Sequence, residues 1–211
     1  MTHSAPPDTP QDFALPTEEQ SPAALNPDAV LAAEYNYITQ TASQAIEDRA
    51  RVTSFFLVSV GSLAAGILGA QSEALRSAGA FAAFGLLFAL LSLTGLLTVM
   101  QLARLRLAWR ESMRALNQIR SYYSVRFQSI QLEQAFRWSE ASMPPAYKPW
   151  SISYLLALEV ALLSGGMLAA AGVFGGLSLA RDWTWIAVTA GLLFIALQMR
   201  LYRSILTRRP K

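Results

Sequence analysis

Four long stretches of this chain carry no charged side chain, and that restricts its fold more than any other feature. They run from Val52 to Ser72, Ser77 to Ala103, Val160 to Ala180 and Trp183 to Met199. Each approaches or exceeds the roughly 20 apolar residues that an α-helix needs to cross hydrocarbon. A buried helix of a soluble protein is usually shorter and keeps one polar face. Four such windows in 211 residues therefore predict an all-α polytopic membrane protein with four transmembrane helices.

The charges lie between these windows and predict the orientation. Arg49 and Arg51 precede the first span, eight basic residues lie between residues 102 and 149, and five follow from Arg200 onward; only Arg76 and Arg181 occupy the two short connections. Fifteen against two is a strong positive-inside pattern. It puts both termini and the long middle loop in the cytoplasm. Arginine outnumbers lysine fifteen to two, and with the alanine-rich spans this suggests a GC-rich bacterial genome and a place in the bacterial cytoplasmic membrane.

The chain divides accordingly. Residues 1–26 hold five of the ten prolines among Ser, Thr, Gln and acids, too little apolar content to offset the entropy of ordering, and are expected to be a disordered tail. Order should begin at Asn26-Pro27-Asp28, where Asn caps, Pro suits the first helical position and Asp favours the helix N-terminus. A cytoplasmic helix over 27–51 follows, with Leu31, Tyr35, Ile38, Ala42 and Ala45 on one face. Those residues recur at spacings of four and three and want a partner helix. No breaker intervenes before the first span, so one helix from about 27 to about 70 is predicted.

Residues 52–102 form the first transmembrane hairpin, whose second helix runs on into a cytoplasmic amphipathic segment and loop over 103–149. There Leu102, Leu105, Trp109, Met113, Leu116, Ile119 and Tyr123 mark an apolar face. Helices 1 and 2 thus extend into the cytoplasm as a helical stalk. The periodicity blurs after Tyr123 through Phe127, Ile130, Leu132, Phe136 and Trp138, and Met143-Pro144-Pro145 with Pro149 breaks any helix. Residues 150–202 form the second hairpin, turning near Gly175-Gly176 to Asp182, and 203–211 are a basic cytoplasmic tail. Trp183 and Trp185 suit the far interface; Trp150, Tyr154 and Tyr202 suit the near one.

There is no cysteine, and the only histidine is His3. Disulfides, thiol catalysis, Cys/His zinc sites and histidine-dependent triads are thereby excluded within the chain. The acids Glu47, Asp48, Glu111, Glu133 and Glu140 show no metal-ligand spacing, and no phosphate loop or nucleophile elbow is present. No enzyme, cofactor or metal is expected.

Three features carry functional potential. Glu159 is the lone acid inside a hydrophobic span. Facing a bundle interior or an oligomer axis it would serve ion or proton movement; at the headgroup boundary, or paired with an arginine, it is inert. Gly61, Ala65 and Gly69 in the first span, and Gly165, Ala169, Gly172 and Gly176 in the third, let helix backbones approach closely within one chain or between copies. Arg106, Arg110 and Arg114 form a basic stripe for anionic lipid headgroups or an acidic or phosphorylated partner, unless it pairs with Glu47 and Asp48. Nucleic acid is not expected, because the neighbouring aromatics have the spacing of a packing face.

The expected function is a non-enzymatic membrane interaction or regulatory module with a cytoplasmic stalk, in contact with the bilayer and as a possible homo-oligomer. The alternative is a homo-oligomeric ion channel or transporter using Glu159. Transport paths normally have several polar groups or broken helices, and these spans contain no proline.

Overall fold

A computed structural model describes residues 26–69, 77–126 and 143–207. Within them the chain forms four α-helices and no strand: α1 Pro27–Gly69, α2 Ala78–Arg126, α3 Ile152–Ser178 and α4 Thr184–Thr207. All four are long and apolar enough to cross a membrane. The expected tail over residues 1–25, the blurred segment over 127–142 and the last four residues lie outside the described residues.

Each helix starts where a short polar side chain can satisfy a free backbone N–H. Asp28 N donates to Asn26 Oδ1 at 3.0 Å, Ala80 N to Ser77 Oγ at 3.2 Å, and Tyr154 N to Ser151 Oγ at 3.3 Å. At α4, Thr184 N donates to Asp182 Oδ1 at 3.0 Å while Ala187 N bonds Trp183 O at 2.8 Å. The two hydrogen bonds from Thr184 hold the exposed Asp182 carboxyl below its ordinary value.

α2 is the hub. It packs extensively along α3, then along α1, and more briefly on α4; α3 and α4 form their own tight pair, and α1 barely touches α3. The core joins Phe56 and Val60 of α1, Val99, Leu102 and Ala103 of α2, Ala157, Val160 and Ala161 of α3, and Tyr202 and Leu206 of α4. Phe81, Phe84 and Phe88 of α2 gather around Phe174 of α3 with ring centroids 6.1, 5.7 and 5.4 Å away, and so close the opposite end. Outside, Phe55, Val58, Leu86, Leu90, Leu93, Leu97, Leu162, Leu192 and Leu193 are exposed. A surface this apolar suits lipid, since soluble monomers rarely expose so many large apolar side chains together.

With 43 and 49 residues, α1 and α2 are on the order of twice the length that hydrocarbon requires. In the stretches beyond the spans, Ile38, Ala42 and Ala45 of α1 are buried, as are Ser112, Leu116 and Asn117 of α2.

Two sequence expectations are corrected here. Gly175 and Gly176 lie inside α3, and the turn occupies residues 179–183. A Cβ at Gly176 would come within 2.7 Å of Arg181 O and 3.2 Å of Trp183 Cβ: this glycine makes room for the returning chain and does not break the helix. Tyr202, expected at the near interface, is 2% exposed, with its hydroxyl donating to Ser153 O at 3.2 Å. A tyrosine with a bundle interior on one side and a carbonyl oxygen in reach of its hydroxyl buries its ring.

The turn itself is a Schellman motif: Arg181 N bonds Gly176 O at 2.9 Å and Ala180 N bonds Leu177 O at 3.1 Å. Ala180 takes the left-handed position, at φ 52°, where glycine is the residue without steric cost. Ala180→Gly should therefore stabilise the folded protein by up to about 1 kcal/mol, read as a raised midpoint of thermal unfolding in detergent. An unchanged or lowered midpoint would contradict this account of the turn.

Candidate functional site at the basic end of the bundle

The end of the bundle where α1 and α2 run on is rich in arginine, and the helices arrange those side chains on several faces. Arg49 of α1 donates from Nη1 to Ser153 Oγ at 2.6 Å, on the residue whose carbonyl receives the Tyr202 hydroxyl. Arg106 of α2 is directed to this same corner. It lies over the Trp109 ring at 5.0 Å, and its Nε is buried with no hydrogen-bond partner. Burial holds its guanidinium below its ordinary value; the Tyr202 hydroxyl acts the other way and the Arg49 charge adds to burial.

The expected stripe of Arg106, Arg110 and Arg114 is thus divided. Arg106 belongs to the corner with Arg49 and Tyr202. Arg110 and Arg114 instead join Arg104 along a groove between α2 and α4 of about 510 Å³, also lined by Glu111, Ser204 and apolar residues of both helices. The Nε of Arg110 is likewise buried without a hydrogen-bond partner. Burial, then the charges of Arg114 and Arg106, hold its guanidinium below its ordinary value, though a guanidinium stays protonated at neutral pH. Pairing with Glu47 and Asp48 does not occur: Asp48 meets Arg51 at 3.7 Å, one turn along its own helix. A second hollow of about 600 Å³, which shares Ser204 with the groove between α2 and α4, is lined by Tyr147, Arg200 and Arg203, with Arg203 over the Tyr147 ring at 5.4 Å.

No protein-family model, curated protein or solved structure matches the chain. The reading of its function therefore rests on its own geometry.

Glu159 is exposed on the outer face of α3 and makes no hydrogen bond or ion pair among the described residues. Gly172 faces Ala187 and Gly176 faces Trp183, a register that sets Glu159 level with Arg200, also exposed. Within one chain the carboxylate does not face the bundle interior. No group of three or more potential metal ligands is found among the described residues.

The small-residue stripes behave differently. In α3, a Cβ at Gly165 would come within 2.3 Å of Ile195 Cγ1, and one at Gly172 within 2.7 Å of Ala187 Cβ; a Cβ at Gly191 would lie 3.1 Å from that of Ala169. This face is the seam with α4. In α1, Gly61 has nothing within 4 Å and Ala65 is exposed, so among the described residues these two pack on no other helix; the surroundings of Gly69 lie outside the description.

Sequence reasoning missed the polar pair at the centre of the seam. Gln198 and Ser164 are both fully buried, with Gln198 Nε2 donating to Ser164 Oγ at 2.8 Å. The hydroxyl has two acceptors in reach, Ala161 O at 3.1 Å and Gln198 Oε1 at 3.0 Å. Its signal was legible in α4, where Ala187, Gly191, Ile195, Gln198 and Tyr202 recur at helical spacing on one face.

Proposed function

We propose that the protein is a non-enzymatic interaction or regulatory module of the bacterial cytoplasmic membrane, with both termini in the cytoplasm. Its four spans anchor a stalk formed by the cytoplasmic parts of α1 and α2. The observation that carries this reading is the burial of Ile38, Ala42 and Ala45 on α1 and of Leu116 on α2 beyond the spans, while Val30, Tyr37 and Ile46 of α1 are exposed. A rigid helix pair that displays apolar side chains into water is suited to receive another helix.

The interior of the spans supports the same reading. Phe56, Val99, Leu102, Val160 and Ala161 fill it, and its central polar groups, Ser164 and Gln198, satisfy one another. A path through a single bundle would need a continuous line of water or polar groups there, which Thr53 Oγ1 and Ser92 Oγ, the buried hydroxyls without a partner among the described residues, do not supply.

The outward-facing, unpartnered Glu159 favours one second reading, a channel at a homo-oligomer axis. One experiment separates the two. A photo-crosslinker attached at Tyr37→Cys in native membranes is expected to capture a discrete protein partner, while the same probe at the lipid-facing Val58→Cys captures lipid, and proteoliposomes of the purified protein pass no ions. Flux through those proteoliposomes that Glu159→Gln abolishes would overturn the module in favour of the channel.

A further inference from the structure

The groove between α2 and α4 has the composition of a lipid site. Along α2 it is lined by Met100, Arg104, Leu107, Arg110, Glu111 and Arg114, which lie on one helix face at spacings of three, four and seven. Leu201, Ser204, Ile205 and Leu206 of α4 form the other wall. The lining is graded: Met100 lies in the apolar part of α2, and the three arginines follow one after another as the helix leaves its uncharged stretch.

Among the described residues, three guanidinium groups line this groove against one carboxylate, that of Glu111. Arg104, Arg110 and Arg114 have no hydrogen bond or ion pair with any acid among the described residues. Like charges on successive turns repel, and Arg110 adds a buried Nε with nothing to bond. An anion in the groove relieves both. A free anion would use the arginines alone, whereas the wall of Met100, Leu107, Leu201 and Ile205 matches an acyl chain descending from the same headgroup.

We infer that this groove binds one anionic phospholipid, its phosphate held by Arg104, Arg110 and Arg114 with Ser204 in reach as a hydroxyl donor, and its acyl chain laid along Met100, Leu107 and Leu201. Arginine suits phosphate because its planar fork donates two parallel hydrogen bonds. Each cation near an anionic lipid surface contributes on the order of a five-fold gain in binding, so three together give about 100-fold. The inference rests on the bilayer placement of the four helices and is independent of what the stalk receives.

The test is native mass spectrometry of the full chain released from detergent, titrated with phosphatidylglycerol and with phosphatidylcholine of the same acyl chains. Retention of one phosphatidylglycerol in preference to phosphatidylcholine is expected. Arg104→Gln/Arg110→Gln/Arg114→Gln should weaken it by about 100-fold, while Arg51→Gln, an equal charge change per residue on an exposed site of α1, leaves it within two-fold. Glu111→Gln removes an acid that lines the groove and should tighten binding a few-fold, a gain that a misfolded protein cannot show. Equal retention of the two lipids, unchanged binding in the triple variant, or an equal loss in Arg51→Gln would overturn the inference. So would free glycerol 3-phosphate competing at the same concentration as the lipid, because the acyl wall would then contribute nothing.

Discussion

Gly191→Val is expected to lower the unfolding free energy by about 3 kcal/mol and to loosen α4 from the bundle. A Cβ at this position would come within 2.6 Å of Gly165 O and 3.1 Å of Ala169 Cβ. The nearer atom is backbone, so no side-chain rotation relieves it and the two helices have to move apart. That separation also stretches the Gln198 to Ser164 hydrogen bond, now 2.8 Å. An interhelical hydrogen bond in a membrane contributes on the order of 1 kcal/mol, so most of the loss comes from packing. The comparison is Gly61→Val on α1, where nothing lies within 4 Å and the change should stay within about 0.5 kcal/mol. Steric-trap or thermal unfolding of both variants in the same detergent measures the difference. Equal effects at the two sites would mean that valine acts through helix propensity, not through the seam.

Phe56→Ala is expected to cost a similar amount, about 3 to 4 kcal/mol, and to act on a different helix. Phe56 is wholly buried, and its ring fills the space left by Gly95: a Cβ there would meet Phe56 Cζ at 3.0 Å. Removing the ring opens a cavity where α1 meets α2. Because α1 holds to the bundle mainly through α2, few other contacts compensate. Gly95→Phe does not restore the lost volume, since Ser164 Cβ stands only 2.3 Å from the added Cβ. A proteolysis or exchange measurement on Phe56→Ala should show α1 opening while α3 and α4 stay protected. Uniform loss of protection across all four helices would refute the placement of Phe56 as the specific fastening of α1.

Much of this architecture is legible in the sequence because charge and periodicity are local. Glu47 to Arg51 end one polar stretch and Glu73 begins another, and the span between them needs no tertiary information to recognise. Ile38, Ala42 and Ala45 announce a buried face by spacing alone. Partner identity is another matter. The stripes Gly61-Ala65 and Gly165-Ala169-Gly172 read alike, yet one faces outward and the other meets α4, because the distinction depends on where Gly191 and Ala187 arrive from the following helix. The arginine stripe shows the same limit. Four-residue spacing puts Arg106, Arg110 and Arg114 on one side of α2, but the approach of α1 claims Arg106 for the Arg49 corner and the furrow beside α4 takes the other two with Arg104. Glu159 is ambiguous in sequence for depth and facing together; the pairing of α3 with α4 decides its facing.

The position of α2 as hub also bears on how the chain is assembled. Its most extensive contact is with α3, a helix of the other hairpin, so this surface has no partner while ribosomes are still making residues beyond Arg126. Until then Gly85, which lies against Ala171 and Gly175 in the finished bundle, and the side of Gly95 that later meets Ser164 have no helix of the second hairpin to cover them. Small residues make that wait tolerable, since hydrocarbon accepts a glycine at little cost. The face that later lets α3 approach closely is thus also one that a half-synthesised protein can leave uncovered in the bilayer.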